Sequence, residues 1–257
     1  MKSDKSDERA LRTVLVTGGG RGIGAACSLL CAQQGWAVAV NYASDAAAAR
    51  KVVAQIRAGG GTAIDVQADV ADEAQVLAMF ATLDRDMPPL GGLINNAGVV
   101  DRGSRVDAMS VARLQRMFAI NVFGSFVCAR EAVRRLSTAH GGPGGSIVNV
   151  SSVAARLGSP GLYVDYAASK AAIDTFTHGL ALEVAAEGIR VNAVRPGIIE
   201  TEIHASGGQA DRVRQITPQL PMKRAGSADE VAQGIVWLLS DAASYVTGSI
   251  LDVSGGR

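Results

Sequence analysis

Apolar and polar residues alternate along the chain with two different periods. Short β-branched or apolar runs predict seven buried strands, at residues 13–17, 36–41, 62–68, 92–95, 146–150, 190–195 and 249–253. Longer stretches between them predict helices, at residues 23–34, 46–58, 72–86, 110–138, a stretch that ends near 187, and 227–240. Because strands and helices alternate, the sequence predicts an α/β fold with one doubly wound domain over residues 1–257. Helices would cover both faces of a seven-stranded parallel sheet.

Two segments fall outside this alternation. Residues 1–11 are polar and charged, and we expect them to form a flexible leader before the first strand. Residues 201–225 are polar, with Gly207-Gly208, Pro218 and Pro221, and predict an irregular segment with one short helix. Because loops after strand ends line the ligand crevice of a doubly wound sheet, residues 201–225 are the expected substrate lid.

Composition narrows the class of protein. Apolar residues make up 48% of the chain and aromatic residues only 4%, so Ala, Val, Leu and Ile must build the core. The net charge of +1 gives no reason to expect nucleic acid or an anionic membrane as partner. The three Cys make no disulfide framework, and the three His have no ligand spacing, so buried thiols and no metal are expected. Without an apolar span or signal segment, the sequence predicts a cytoplasmic protein.

A glycine-rich turn, TGGGRGIG at residues 17–24, joins the first strand to the first helix. Its glycines allow a tight turn and close approach of a pyrophosphate to the helix N-terminus, which predicts dinucleotide binding. Strand 2 ends at Asn41, and the next three residues carry no carboxylate to bind the ribose hydroxyls of NAD. Arg21 could contact a 2′-phosphate. These features favour NADP(H) over NAD(H); the alternative is that Arg21 is simply solvated.

Tyr166 and Lys170 lie four residues apart, so they share one face of a helix. An ammonium beside a phenol is typical of an acid/base catalyst, because it lowers the phenol's pKa from ~10 toward neutral. The alternative is an ordinary surface pair. Of the serines that end strand 5, Ser152 is the better candidate, because Ser151 should face away. Asp165 should point off the shared face, near the helix start.

Several motifs occur in order and together resemble the short-chain dehydrogenase/reductase family over almost the whole chain. They are the turn at 17–24, Asp69-Val70, Asn95-Asn96-Ala97-Gly98, Asn121, Ser152, Tyr166 with Lys170, Pro196-Gly197 and Thr201. The chain is most similar to the branch of 3-oxoacyl-carrier-protein reductase-like and glucose-dehydrogenase-like enzymes. The resemblance implies a Rossmann domain.

The resemblance also implies residue roles. Tyr166 would be the general acid/base, and Ser152 would hold the substrate oxygen. Lys170 would lower the pKa of Tyr166 and bind the nicotinamide ribose, and Asn121 would hold a water for proton supply. The implied cofactor contacts are Gly18, Arg21, Gly22, Ile23, Gly24, Asn41, Asp69, Val70, Asn95, Ala97, Gly98, Tyr166, Lys170, Pro196, Gly197, Ile199 and Thr201.

The implied activity is that of an NADP(H)-dependent oxidoreductase that interconverts a ketone and a secondary alcohol. Its substrate would be a small molecule. The implied assembly is a homotetramer packed through helix 110–138 and the Tyr166 helix. The apolar residues available for that packing are Phe118, Val122, Phe126, Ala172, Phe176 and Leu180, although their spacing fits an ordinary core equally well. The alternatives are a non-catalytic NADP(H)-sensing protein on the same fold and an oligomeric scaffold.

Two departures from the family pattern bear on the substrate. The interval from Ser152 to Tyr166 is one residue longer than is usual, so the loop should bulge and bring Tyr163 or Leu162 to the substrate mouth. Residues 185–187 read Ala-Ala-Glu where carrier-protein-docking reductases place basic residues, which weakens the acyl-carrier interpretation. The sequence does not identify the substrate.

Overall fold

A parallel sheet of seven strands forms the centre of the computed structural model, which describes residues 11–201 and 212–257. The strands are β1 (Thr13–Val16), β2 (Ala37–Tyr42), β3 (Ala63–Gln67), β4 (Leu90–Asn95), β5 (Gly145–Val150), β6 (Ile189–Pro196) and β7 (Ile250–Val253). Their order is β3-β2-β1-β4-β5-β6-β7, and every neighbouring pair is parallel. The predicted fold is therefore confirmed. The predicted leader, except its last residue, and lid residues 202–211 lie outside the described residues.

Helices cover both faces of this sheet. In the described residues they are α1 (Gly22–Gln33), α2 (Ala46–Ala58), α3 (Glu73–Asp86), α4 (Val111–Phe118), α5 (Gly124–Leu136), α6 (Ala154–Leu157), α7 (Val164–Val184), α8 (Arg212–Ile216) and α9 (Ala228–Leu239). A hydrophobic core lies on each face of the sheet. Because side chains alternate along a strand, Val14 and Val16 of β1 pack into one core and Leu15 packs into the other. The first core packs against α1, α2 and α9, and the second against α3, α5 and α7.

The predicted helix 110–138 is divided in two. Between α4 and α5, residues Ala119–Phe123 form a π-helical turn, which places one extra residue in the turn. Apolar periodicity predicted one continuous helix, because a single extra residue hardly disturbs the apolar stripe. The turn contains Asn121.

Strand β4 begins two residues earlier than predicted, because Leu90 and Gly91 also belong to it. A Cβ on Gly92 would lie 2.8 Å from Leu239 Cδ1, so the glycine lets α9 pack closely on the sheet. The α9 N-terminus itself is as predicted: Ser227 and Glu230 form a capping box. Of the predicted lid, the described part contains the short helix α8 and a 3₁₀ turn at Thr217–Gln219.

The cysteine thiols are buried, as expected from their apolar surroundings. Burial raises the pKa of Cys27 and of Cys128 to about 12, so neither is a reactive thiolate at neutral pH. Within the described ranges, no helix is both long enough and apolar enough to cross a membrane.

The strand order changes direction between β1 and β4. In an open parallel sheet, ligands bind at the carboxyl ends of the strands on either side of such a point. The segments that leave β1, β4, β5 and β6 at this edge are the glycine turn, residues 96–99, the Ser151-Ser152 pair and residues 197–201.

Candidate active site

The glycine turn after β1 has a backbone that only glycine adopts readily. Gly18 has φ of +59° and Gly22 of +51°, both in the left-handed region. A Cβ on Gly24 would lie 2.2 Å from the carbonyl oxygen of Gly18, so a side chain there would force the turn apart. The spacing of these glycines therefore follows from the turn's own geometry.

The side-chain amide of Asn41 holds this turn in place through hydrogen bonds. Its Oδ1 accepts a hydrogen bond from Gly18 N (3.2 Å), and its Nδ2 donates to the carbonyls of Val66 (3.3 Å) and Ala68 (3.0 Å). The side chain is buried. The amide is thus used inside the protein, to hold the turn against the end of β3, and the predicted contact between Asn41 and the cofactor stays a prediction.

A second amide, Asn96, was missed by the sequence reasoning. Its Nδ2 donates to the carbonyls of Thr17 (2.9 Å) and Gly18 (3.1 Å). The Thr17 hydroxyl in turn accepts from the main-chain N of Asn96 (2.9 Å) and of Ala97 (3.0 Å). These bonds fix the glycine turn to the segment after β4. The signal that could have found Asn96 was the doubled amide at the end of a buried strand.

Asn95, which was predicted to contact the cofactor, points into the protein instead. Its Nδ2 donates to the Ser125 carbonyl (3.1 Å) and to Asn149 Oδ1 (3.0 Å). Asn149 Nδ2 continues the chain to Thr177 Oγ1 (2.9 Å). This buried ladder ties β4 and β5 to α5 and α7. Adjacent residues on a strand face opposite sides, so only one amide of the pair can face the crevice.

The N-terminus of α1 differs from those of its neighbours. Asp45, Asp72, Ser110 and Ser227 cap α2, α3, α4 and α9 with a side-chain oxygen. At α1 the N-cap is Arg21, which has an extended backbone and accepts no capping bond. When no side chain caps a helix that follows a glycine turn, the free N–H groups of its first turn can bind an anion. The Arg21 side chain is exposed beside it, so this end fits the phosphates of a dinucleotide.

The predicted contacts after β3 lie at the edge of this crevice. Asp69 is half-buried, and its carboxylate accepts from the main-chain N of Ala71 (3.0 Å). The side chain of Val70 is buried against α5, where a Cβ on Gly124 would lie 2.7 Å from Val70 Cγ2. Val70 therefore fixes α5 against the end of β3.

Ser152, Tyr166 and Lys170 come together at the end of β5. The Ser152 hydroxyl is hydrogen-bonded to the phenol of Tyr166. Lys170 Nζ lies 5.8 Å from the centre of the Tyr166 ring and donates to the Val150 carbonyl (2.8 Å). Ser151 faces away, as expected, and its hydroxyl donates to the Lys170 carbonyl (3.2 Å).

Asn121 lies behind this group, in the π-helical turn. Its Oδ1 accepts from Val99 N (2.8 Å), and its Nδ2 donates to the Val99 carbonyl (3.0 Å) and to Ser169 Oγ (3.1 Å). A Cβ on Gly98 would lie 3.4 Å from both Asn121 Oδ1 and Lys170 Nζ. The amide thus clamps the segment after β4 beside Lys170. The water that Asn121 was expected to hold stays a prediction.

The electrostatics of the pair differ from the sequence expectation. The pKa of Tyr166 is raised, because burial disfavours the phenolate, although the hydrogen bond from Ser152 opposes the shift. Burial lowers the pKa of Lys170 to about 8, and the negative charge of Asp174 opposes this shift. Burial therefore sets the direction of the Tyr166 shift, and the expected lowering of its pKa by Lys170 stays a prediction.

Asp174 follows Lys170 by one helical turn, so it lies on the face of α7 that carries Tyr166 and Lys170. Its Oδ2 accepts from Arg195 Nε (2.9 Å) and Nη2 (2.8 Å). Its other oxygen, Oδ1, is buried and has no hydrogen-bond partner among the residues the structure describes. Asp174 is thus a buried carboxylate one helical turn from Lys170, and the sequence reasoning did not identify it.

Asp165 was expected to point off the shared face near the start of the helix. It does lie in the first turn of α7, but its carboxylate is fully buried in a bidentate ion pair with Arg113 of α4. The two N–O distances are 2.7 and 3.1 Å. The partner lies 52 residues away in sequence, so no local pattern could show the pair.

A cavity of about 140 Å³ opens beside Tyr166. Nine of the predicted site residues line it: Ile23, Gly98, Ser152, Tyr166, Lys170, Pro196, Gly197, Ile199 and Thr201. Of the two loop residues expected at the mouth, Tyr163 lines the cavity, and Leu162 is not among its lining residues. The loop that leads to Tyr163 turns at Gly158, Ser159 and Gly161, all with positive φ.

Similarity to known proteins covers nearly the whole chain. A family model described as Enoyl-(Acyl carrier protein) reductase matches residues 18–257. The chain is 58% identical to the uncharacterized oxidoreductase YgfF of Escherichia coli, over 95% of this chain and 98% of that protein. It is 40% identical to 3beta-hydroxysteroid dehydrogenase 1 of Eggerthella lenta, over 97% and 95% of the two chains. A dehydrogenase/reductase structure from Sinorhizobium meliloti matches with a TM-score of 0.88 and 31% identity, over 96% and 95% of the two chains.

Proposed function

The chain belongs to the short-chain dehydrogenase/reductase family of oxidoreductases, and from this premise we propose that it interconverts a ketone and a secondary alcohol with NADP(H). Members of this family use a nicotinamide cofactor. The observation that carries the proposal is that Ser152, Tyr166 and Lys170 line one cavity, with the Lys170 ammonium beside the Tyr166 ring, at the carboxyl edge of the sheet where a dinucleotide would bind.

Tyr166 and Ser152 act together on the substrate oxygen. When bound, the nicotinamide supplies or accepts the hydride at the carbon. The Tyr166 hydroxyl donates a proton to the carbonyl oxygen during reduction and takes it back during oxidation. The Ser152 hydroxyl donates a hydrogen bond to the same oxygen, where negative charge develops. Both side chains line the same cavity. Because a serine hydroxyl has a single proton, Ser152 exchanges the bond that it donates to the phenol for one to the substrate oxygen when the substrate binds.

Lys170 supplies positive charge behind Tyr166. Its ammonium is buried and held by the Val150 carbonyl, so it has one fixed position on the α7 face. A fixed positive charge in surroundings of low dielectric favours the phenolate that forms when Tyr166 gives up its proton. This stabilisation opposes the effect of burial, which by itself raises the Tyr166 pKa.

The glycine turn and the uncapped N-terminus of α1 would hold the phosphates of the cofactor. Residues Gly22, Ile23 and Gly24 offer first-turn N–H groups, and Arg21 offers a guanidinium beside them. Thr201, Pro196 and Gly197 line the cavity near Tyr166 and would contact the nicotinamide half. The residues present thus fit a dinucleotide at both ends of the crevice.

NADPH should bind this protein about tenfold more tightly than NADH. The reason is that one charge-assisted contact from Arg21 to the 2′-phosphate is worth roughly 1.5 kcal/mol or more. Titration of nicotinamide fluorescence measures both dissociation constants. Arg21→Gln should remove most of the difference by weakening NADPH alone, whereas Arg85→Gln, a surface change on α3, should alter neither. Equal affinities in the wild-type protein would refute the assignment to Arg21.

Ketone reduction should decline as the pH rises through about 8. Lys170, whose pKa is lowered to about 8, is charged below that pH and neutral above it, so its support of the phenolate is lost on the alkaline side. Asp174→Asn removes the negative charge that raises the Lys170 pKa, so the decline should move to lower pH. The profile of kcat against pH measures this. Glu183→Gln, on the exposed face of α7, should leave the pH profile unchanged. If the profile were also unchanged in Asp174→Asn, the decline could not be assigned to the titration of Lys170.

We also propose that the protein assembles as a homotetramer through α5 and α7. Phe126 stacks on Phe176 with ring centres 3.7 Å apart, and it remains 45% exposed. Phe123 beside it is 62% exposed. Val122, which was expected to be available for packing, is buried in the protein's own core. The exposed aromatic patch therefore consists of Phe123, at the end of the π-helical turn, and Phe126 of α5, which stacks on Phe176 of α7.

A further inference from the structure

The carboxylate of Asp174 is held by a single residue from another element. Arg195 of β6 donates to Asp174 Oδ2 from both Nε (2.9 Å) and Nη2 (2.8 Å). Both side chains are largely buried, with exposed fractions of 11% for Asp174 and 18% for Arg195. The other carboxylate oxygen, Oδ1, is buried and has no hydrogen-bond partner within the described part of the chain. Asp174 is therefore a desolvated anion whose position depends on one guanidinium.

The sheet fixes the position of the Arg195 guanidinium. Side chains alternate along β6, so Val194 packs into the core that faces α1 and α9, and Arg195 points to the α7 face. Arg195 and Asp252 are paired residues in the parallel ladder of β6 and β7, and Arg195 Nη1 lies 3.7 Å from Asp252 Oδ1. Asp252 is itself paired with Arg156 of α6 at 3.0 Å. Arg195 thus lies between two carboxylates, which hold it against α7.

Lys170 is the cation one helical turn from Asp174, yet the two described side chains form no ion pair with each other. Residues four apart on a helix are close enough to form one. The ammonium instead donates to the Val150 carbonyl (2.8 Å) and lies 5.8 Å from the centre of the Tyr166 ring. Because Arg195 binds Oδ2, the Asp174 carboxylate is directed toward β6 and leaves the ammonium on the Tyr166 side.

The charged and titratable groups around Lys170 come from several elements. Residues 96–99, residues 151–153 and the π-helical turn bring no charged side chain to it. Among the described groups, the charge of Asp174 is the one that raises the Lys170 pKa, against the effect of burial. The groups on the surrounding elements are Tyr166 and Asp174 of α7, the Asp165–Arg113 pair at the start of α7, Arg195 of β6, Asp252 of β7, and Arg257 on the wall of the cavity.

We propose that Arg195 is a positioning residue for the reaction, which holds the Asp174 carboxylate away from Lys170 and so keeps the ammonium beside the Tyr166 phenol. The inference rests on the proposed function, because it assigns the support of the phenolate to Lys170. Without Arg195, the buried carboxylate has to be neutralised or to find another cation. Lys170 is the cation on the same helix face. The ammonium would then pair with Asp174, lose its place beside Tyr166 and keep its proton to a higher pH.

Arg195→Met removes the charge and the donors, and it should change the reaction in two ways. With NADPH and the faster of two ketones, ethyl acetoacetate and cyclohexanone, kcat at pH 7 should fall about 10–100-fold, since part of the acid-catalysis factor is lost. The alkaline decline of kcat should move up by about one pH unit, because Lys170 gains an ion-pair partner. The control is Arg135→Met. Arg135 pairs with Asp84 and Glu131 and is 23% exposed, so this change breaks a comparable ion pair on α5 and should leave the pH profile unchanged.

Two further variants separate positioning from a structural role. In Arg195→Met with Asp174→Asn, no carboxylate is left to capture Lys170, so kcat should be at least about fivefold higher than in Arg195→Met alone. A structural role predicts a lower kcat in the double variant, because a second buried group is changed. Arg195→Lys keeps a cation for Asp174 and should recover most of kcat and the wild-type decline.

Each outcome of these assays bears on the role of Arg195. If the double variant is no faster than Arg195→Met, or if Arg195→Met moves the decline to lower pH, the proposed role is wrong. Arg195→Gln, which keeps one donor, should show both changes in the same direction and to a smaller extent. It replaces Arg195→Met in every comparison if that variant does not fold.

A titration that needs no turnover separates failure of this inference from failure of the proposed function. NMR of protein labelled with ¹³C at the lysine ε-carbon follows the protonation of Lys170, whose signal is identified by its loss in Lys170→Met. The midpoint should rise by about one pH unit in Arg195→Met. If no ketone is reduced but the midpoint rises, the hold of Arg195 on Asp174 stands and the proposed reaction is wrong. If ketones are reduced and the midpoint is the same in both proteins, the reaction stands and the role of Arg195 is wrong.

Discussion

Replacing Tyr166 with Phe should lower kcat for ketone reduction by about three orders of magnitude, while the dissociation constant for NADPH changes less than about threefold. The variant loses only the phenolic oxygen, which is the proton donor, and general acid catalysis is worth about 10²–10⁴-fold. The ring still fills its half-buried position on α7. Lys170 keeps its bond to Val150, because that bond does not involve the phenol.

Steady-state kinetics and a fluorescence titration of NADPH measure the two quantities on the same preparation. Tyr163→Phe is the matched comparison, because Tyr163 also lines the cavity but has Ala167, not a lysine, four residues later. It should keep kcat within about fivefold, since the expected acid-catalysis factor belongs to Tyr166 alone. Turnover of Tyr166→Phe at the wild-type rate would refute the mechanism.

The same pair of measurements addresses the non-catalytic alternative. A protein that only senses NADP(H) would bind the cofactor and reduce no ketone, and Tyr166→Phe would then change neither property. A catalyst loses turnover and keeps binding. The arrangement of Ser152, Tyr166 and Lys170 favours the second outcome, since a sensor has no need of a serine hydroxyl bonded to the phenol.

The sequence predicted the fold because its signals are local. Seven apolar runs, each followed by a turn residue or cap, determine seven strands and the helices between them. The predicted strands begin or end within two residues of those in the structure. The face of Ser152 was predictable for the same reason: side chains alternate at a strand end, so Ser151 must point toward α7 when Ser152 points to the cavity.

Side-chain direction at the ends of other strands was harder to predict. Asn41, Asn95 and Asn96 all end strands at the carboxyl edge, and the first two were expected to contact the cofactor. In the structure, all three amides bond to protein groups: Asn41 and Asn96 brace the glycine turn, and Asn95 joins a buried ladder. Which amide supports a turn depends on strands that are neighbours in space, and no spacing along the chain encodes it.

The charged groups around the site were hard to predict for the same reason, because their partners come from other elements. Asp174 lies on the Tyr166 face at the expected helical spacing, yet its importance depends on Arg195, which comes from β6. Arg257, which lines the cavity, follows two left-handed glycines, Gly255 and Gly256, beyond β7. The π-helical turn around Asn121 has no sequence signature at all. Local periodicity predicts elements, whereas pairing across elements determines the electrostatics of the site.

Replacing Asp165 with Ala should lower the free energy of unfolding by roughly 3–5 kcal/mol, the cost of breaking a buried ion pair on one side only. The Asp165 carboxylate is fully buried and the Arg113 side chain is 11% exposed, so the remaining guanidinium would stay largely desolvated. Arg113 also donates to the Arg102 carbonyl (2.6 Å), which prevents it from turning out to solvent without a second loss.

Urea denaturation at one fixed protein concentration measures this change, since oligomerisation makes apparent stability depend on concentration. Asp101→Ala is the matched control. Asp101 pairs at 3.9 Å with Arg116, which lies on α4 like Arg113, but both side chains are solvent-accessible. Its removal should therefore lower the free energy of unfolding by less than about 1 kcal/mol. The double variant Arg113→Met with Asp165→Leu should recover most of the stability, because no unpaired charge is left. Because the pair fixes the first turn of α7, which carries Tyr166, Asp165→Ala should also lower kcat in the protein that remains folded.

If Asp165→Ala lowered the free energy of unfolding by less than about 1 kcal/mol, the Arg113 guanidinium would be solvated when its partner is removed. In that case α4 would not anchor the catalytic helix.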